Sequence, residues 1–178
     1  DYTMNHIFMT TGAAGALAHA LRAVTKPGDE VLTFAPYFPE YGPYVEGAGD
    51  VLKVVPANTE DFQINFAAFE EMLTDKVAAV LINTPNNPSG IAYSTKTIEK
   101  LAEVLTRKQK EYGYDIILIS DEPYREIVFA GADAPYTSKF YDNTLSCYSF
   151  SKSLSLPGEH IGYVAVNPRC TDADLLVA

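Results

Sequence analysis

Ile116-Ile117-Leu118-Ile119-Ser120-Asp121-Glu122-Pro123-Tyr124 runs four large apolar side chains, without polar alternation, straight towards an acid. Successive side chains of a strand point to opposite faces, so a strand that is apolar throughout is covered on both. Such strands belong to parallel sheets sandwiched by helices. Reading Asp115 to Ser120 as a strand therefore assigns the α/β class, and the surrounding sequence keeps the same rhythm. His6–Thr11, Glu30–Ala35, Val51–Pro56, Val77–Asn83, Leu145–Phe150 and Ile161–Val166 also read as strands. Between them, Ala13–Val24 is Ala/Leu-rich and helical, and Tyr41–Ala48 is helical with a start weakened by Pro43. Asn65 suits the cap of a helix through Leu73. Thr95–Tyr112 carries Ile98, Leu101, Ala102 and Leu105 at helical spacing. Lys26-Pro27-Gly28-Asp29 is a turn by composition. The alternation predicts one α/β domain over residues 1–178, a mostly parallel sheet with helices on both faces.

The bulk composition narrows the partners. With 47% hydrophobic and 20% charged residues, the chain can bury a core of ordinary size. A net charge of −10 repels polyanions, so nucleic acid and anionic membrane surfaces are set aside. No apolar run reaches transmembrane length, and no signal-peptide pattern is seen. Cys147 and Cys170 stand in apolar, strand-like contexts without metal-ligand spacing. They read as reduced buried thiols, with a cytoplasmic location expected and no metal. The chain opens on Asp1 without Met and closes on Leu175-Leu176-Val177-Ala178, which looks like mid-helix. A piece of a longer protein is the expectation.

In sheets of this class, ligands bind beyond the carboxyl ends of the strands. The first strand runs into Thr11-Gly12-Ala13-Ala14-Gly15, where small residues and a helix start suit a phosphate. The second leads into Pro36-Tyr37-Phe38-Pro39, with aromatics that could stack on a flat ring. The fourth ends in Asn83-Thr84-Pro85-Asn86-Asn87-Pro88-Ser89-Gly90, a loop shaped by proline and glycine. The fifth delivers Asp121, an acid that burial obliges to find a partner. The sixth ends in Ser149-Phe150-Ser151-Lys152. A lysine at the tip of an apolar strand is expected to be desolvated, which favours the neutral, nucleophilic amine. Each feature alone also has an ordinary reading as packing, a turn, a helix cap or a surface lysine.

Their order along the chain resembles the large domain of fold-type I pyridoxal phosphate (PLP) enzymes, most closely the class I aminotransferases. Asn87-Pro88-Ser89-Gly90, Asp121-Glu122-Pro123-Tyr124, Ser149-Phe150-Ser151-Lys152 and Leu156-Pro157-Gly158-Glu159 carry the resemblance. The separation of Asp121 and Lys152 suits an intervening helix and strand. The resemblance implies that Lys152 holds PLP as a Schiff base (an internal aldimine) and then moves the substrate proton. It implies that Asp121 keeps the pyridine nitrogen protonated, which makes the ring an electron sink. Tyr124 and Asn87 would bond the phenolic oxygen, and Phe38 would stack on the ring. Gly12, Ala13 and Ala14 would offer N–H groups to the phosphate, with Ser149 adding a hydroxyl. The implied reaction moves an amino group between an L-amino acid, aspartate- or alanine-like, and a 2-oxo acid. A homodimer is implied for the longer parent.

One position departs from the family pattern. Pro157-Gly158-Glu159 is followed by His160 where the family has a phosphate-clamping arginine. Histidine is not assured of charge near neutral pH, so weaker PLP retention is expected. Family members are longer, with a small domain whose arginine grips the substrate carboxylate. They also have a tyrosine, from before this chain's first residue, that reaches a neighbouring subunit's phosphate. The fragment is therefore expected to hold PLP with its own activity open. Other readings are weaker. Ser149-x-x-Lys152 fits a serine acyl-transfer motif, but the accompanying Ser-Asp-Asn and Lys-Thr-Gly are lacking. Gly12-Ala13-Ala14-Gly15 misses the spacing of a dinucleotide fingerprint. A ligand-sensing domain without activity and a PLP-dependent carbon–sulfur lyase remain as alternatives within the same fold.

Overall fold

The computed structural model describes residues 1–129 and 131–177. Seven strands, β1 (Ile7–Thr11), β2 (Glu30–Phe34), β3 (Val51–Val55), β4 (Val77–Asn83), β5 (Ile117–Asp121), β6 (Thr144–Ser149) and β7 (Ile161–Val166), form one sheet. Their order is β1-β7-β6-β5-β4-β2-β3. The pairs from β3 to β6 are parallel, and β7 lies antiparallel between β6 and β1. A mostly parallel sheet is thus present, as expected.

Period-two alternation explains the unbroken apolar strands. Ala79 and Leu81 of β4 and Ile119 of β5 join a core with Leu17 and Leu21 of α1 (Gly12–Val24) and Val45 of α2 (Tyr41–Ala48). Val80, Ile82 and Leu118 point the other way, into a second core with Phe69 of α3 (Phe66–Met72) and Ile98, Leu101 and Leu105 of α4 (Thr95–Tyr112). Helix ends follow local chemistry. Asn65 Oδ1 accepts from the Ala68 N–H (3.2 Å), and Ser94 Oγ accepts from the Thr97 N–H (3.1 Å). Gly113 closes α4 at φ 78°, in the left-handed region that glycine enters freely. Pro43 does not delay α2, because proline is tolerated in a helix's first turn, where N–H groups lack intrahelical partners anyway.

Two expectations are corrected. The segment between β5 and β6 contains no α-helix among its described residues, only a 3₁₀ turn at Thr137–Lys139. There the Glu122 carboxylate takes the place of a packed helix. It pairs with Arg125 and accepts hydrogen bonds from Ser120 Oγ (2.8 Å) and Thr137 Oγ1 (3.1 Å). The sixth strand stops at Ser149, and Phe150 opens the short helix α5 (Phe150–Ser153). At the far end, α6 spans Ala173–Leu176, and Ala178 lies outside the described residues. Among the described residues, no helix is long and apolar enough to cross a membrane.

Candidate active site

Register places the functional candidates at one edge. Asn83, the last residue of β4, pairs with Asp121, the last of β5, and Asp121 pairs with Cys147, two residues before the end of β6. At the other end of the sheet, Thr11 pairs with Ile161. Because β7 runs against its neighbours, it begins at the edge where they finish, and this brings His160 beside the carboxyl ends.

A cavity of about 340 Å³ opens there. It is lined by Asp121, with Asn83 and Asn87 from the β4 side. Phe38 and Tyr124 also line it, and Gly12, Ala13 and Ala14 present the start of α1. Ser149, Lys152 and His160 complete the β6–β7 side. The structure thus brings Gly12, Ala13, Ala14, Phe38, Asn87, Asp121, Tyr124, Ser149, Lys152 and His160 to one cavity, while Tyr37 does not line it. Among the described residues, no cluster of His, Cys, Asp and Glu suits a metal ion.

The surroundings of Asp121 are the most constrained part. The residue is 5% exposed, and Oδ2 accepts from the Tyr41 hydroxyl at 2.6 Å. Asn83 Nδ2 donates to the Asp121 main-chain carbonyl (3.0 Å) and lies 3.5 Å from Oδ2. Oδ1 is buried with no partner. Burial pushes the Asp121 carboxyl up to about 7, the Tyr41 hydrogen bond pulls it down, and the charge of Glu122 pushes it up. Asn83 also fixes the loop that follows, since its Oδ1 accepts from the Asn87 N–H at 2.6 Å. Asn87 and Tyr124 line the cavity together. Burial raises that phenol, the contact with Asn87 lowers it, and Asp121 raises it again.

The helix start is shaped by two glycines. Gly12 has φ +65°, and Thr10 Oγ1 donates to its carbonyl at 2.9 Å. Gly162 of β7 packs so closely that a Cβ there would lie 2.5 Å from the Tyr148 carbonyl oxygen and 2.6 Å from the Gly12 carbonyl carbon. These contacts are with backbone, so only glycine fits.

The lysine differs from expectation. Lys152 stands within α5 and is exposed, as is every residue from Leu154 to Ile161. Desolvation by a strand-tip position is therefore not the state of this amine, because the chain leaves the sheet before reaching it. Ser149, in contrast, is buried. Its Oγ accepts from the Ser151 N–H (3.1 Å), capping α5, and donates to Ser151 Oγ at 2.9 Å. Tyr41 and Asn83 were not among the sequence candidates. Tyr41 reads there as a helix-start aromatic and Asn83 as the last residue of a strand, and only the fold shows both against Asp121.

Comparison with known proteins identifies the family. Aspartate aminotransferase from Thermotoga maritima is 34% identical over 176 residues, covering 97% of this chain and 45% of that protein. An amino transferase from Eubacterium rectale superposes with a TM-score of 0.97 at 52% identity, covering 99% of this chain and 45% of that one. Thermus thermophilus aspartate aminotransferase superposes with a TM-score of 0.85 at 27% identity, covering 99% and 46%. The chain spans less than half the length of these relatives. The family model for aminotransferase class I and II matches residues 1–175, and the chain belongs to that PLP-dependent family.

Proposed function

We propose that residues 1–178 form the PLP-binding large domain of an aminotransferase that moves an amino group between an L-amino acid and a 2-oxo acid. The observation that carries the reading is a buried carboxylate oxygen, Asp121 Oδ1, left without a partner in a cavity that also holds Lys152. An orphaned buried acceptor needs a donor, and a protonated pyridine nitrogen is one. The donor set around it fits the rest of the cofactor. Backbone N–H groups at Gly12, Ala13 and Ala14 suit the phosphate, Phe38 offers a ring face, and the Tyr124 hydroxyl with Asn87 suits the phenolic oxygen.

When bound, PLP supplies the electron sink that stabilises negative charge at the substrate α-carbon. The chain's own residues do the remainder. Lys152 Nζ would hold the cofactor and, when free, would take the proton from the substrate α-carbon. Asp121 would hold the proton on the ring nitrogen. Tyr124 and Asn87 would hold the phenolic oxygen, Ser149 supports the short helix that carries Lys152, and His160 would serve the phosphate. The names of the relatives support an aspartate-like substrate, with an alanine-like one as the simpler alternative. We further propose a homodimer for the longer protein, with this chain alone holding PLP but turning over slowly.

The test is direct. Adding PLP to the chain is expected to give a visible absorption band, and borohydride reduction is expected to fix the cofactor on Lys152 in a peptide map. Lys152→Ala should lose both signals. A wild-type chain that shows neither at near-millimolar PLP sinks the proposal.

A further inference from the structure

Tyr41 is fully buried at the first position of α2, with Tyr37 stacked on its ring (centroids 6.4 Å) and Phe38 edge-on (5.8 Å). Those two rings fix its plane. The hydroxyl so held reaches across 80 residues of sequence to Asp121 Oδ2 at 2.6 Å. Asn83 Nδ2 approaches the same oxygen at 3.5 Å, so both available donors address Oδ2 and neither addresses Oδ1. A carboxylate gripped on one oxygen cannot rotate without breaking that bond.

We infer that Tyr41 is a positioning residue for the cofactor: its hydroxyl locks Asp121 with Oδ1 left for the ring nitrogen and favours the ionised form of the acid. The inference rests on the PLP reading of the cavity. It concerns charge as much as geometry, so every group facing Asp121 matters. From β6, Cys147 is buried and its thiol is pushed up, which keeps it neutral. Tyr124, from the segment after β5, is likewise pushed towards its neutral form. Glu122 is paired with Arg125, yet its charge still disfavours ionisation of Asp121. From α2, burial and the Glu40 carboxylate, with Asp121 adding to them, push Tyr44 towards its neutral form, and Glu40 itself lines the cavity. Asn83 from β4 is uncharged, and Lys152 and His160 are the basic side chains lining the cavity among the described residues. Against burial and Glu122, the Tyr41 hydroxyl is the contact that draws Asp121 back towards the carboxylate.

The experiment measures PLP affinity from the visible band between pH 6 and pH 9 for wild type and Tyr41→Phe, which keeps the ring packing. PLP binding needs the Asp121 carboxylate, so affinity should fall as pH drops through its midpoint. Losing a hydrogen bond to a charged group should move that midpoint up by about one pH unit or more. The variant's affinity should therefore fall roughly tenfold below wild type near pH 6.5 and converge with it at high pH. If Tyr41→Phe does not fold, 3-fluorotyrosine at this position, a stronger donor, should move the midpoint down instead. Affinities that differ by one constant factor at every pH, or an unmoved midpoint with fluorotyrosine, would make Tyr41 merely structural and overturn the inference while PLP binding stands. A wild type that never binds PLP overturns the cofactor reading itself, and the inference with it.

Discussion

Asp121 is a buried acid whose folded state prefers the proton, and that preference has a sign. Its folded midpoint of about 7 lies above the value near 3.9 of an unfolded aspartate. Between those limits the native state binds more protons than the unfolded one, so stability falls as pH rises from about 4 to about 7. Each tenfold change in proton affinity is worth about 1.4 kcal/mol, which makes the whole effect a few kcal/mol. Asp121→Asn removes the titrating group and keeps an acceptor for Tyr41. Urea unfolding of the PLP-free chain should show wild type losing about 2 kcal/mol relative to this variant between pH 5 and pH 8. Parallel pH profiles for the two proteins would show that Asp121 is already ionised in the folded state at pH 5. The acid itself was readable in the sequence, because an apolar strand that ends in Asp forces a buried carboxylate. The partner on its Oδ2 was not readable, since nothing local links Tyr41 to a residue 80 positions away. Nor was the exposure of Lys152, which depends on where β6 ends: the backbone turns into α5 before reaching it.

Elements shape the end of the cavity proposed for the phosphate, and here a strand controls a helix. Gly162 lies in β7 and Gly12 starts α1, yet the two backbones meet where a Cβ on residue 162 would sit 2.7 Å from the Gly12 carbonyl oxygen. Gly162→Ala must therefore push β7 away from β6 or displace the turn at Gly12. Overpacking of this kind costs about 1–3 kcal/mol, read as a lower urea midpoint. If the turn gives way, the N–H groups of Gly12, Ala13 and Ala14 lose their alignment. PLP affinity should then fall towards that of pyridoxal, which has no phosphate, and the ratio of the two affinities is the measurement. An unchanged ratio would separate the turn from phosphate binding. The strands and long helices were legible because their periodicity is strong and their caps, Asn65 and Ser94, are local. The β5–β6 crossover was misjudged because its packing comes from the Glu122–Arg125 pair and hydroxyl contacts, which have no sequence period. Gly162 stood in a strand that was recognised, but a missing side chain reveals its purpose only once the backbone it accommodates is in place.

At the scale of the whole molecule, the proposed amino-group transfer raises the question of what grips a substrate's carboxylate. That group needs a fixed cation, and arginine suits it best because its planar fork bonds both oxygens. The chain's four arginines are Arg22, Arg107, Arg125 and Arg169, and all are engaged elsewhere. Arg22 donates to the Gly47 carbonyl, Arg107 pairs with Glu70, Arg125 with Glu122 and Arg169 with Asp142. None of them lines the cavity, where Lys152 and His160 are the basic side chains among the described residues. The proposed reading gives Lys152 to the cofactor's aldehyde carbon and His160 to its phosphate, and on that reading the substrate carboxylate meets no unassigned cation. Loss of one partner of a buried charge pair removes about 2–5 kcal/mol of binding, a factor from roughly thirty to a few thousand with its middle above a hundred. The PLP-loaded chain should therefore show its visible band yet release 2-oxo acid from aspartate or alanine at least about a hundredfold more slowly than full-length Thermotoga maritima aspartate aminotransferase assayed alongside it. Millimolar guanidinium, a free cation of the missing geometry, should recover part of the rate. Turnover matching the full-length enzyme would mean that these residues already contain the carboxylate grip, and the assignment of His160 to the phosphate would have to be revised first.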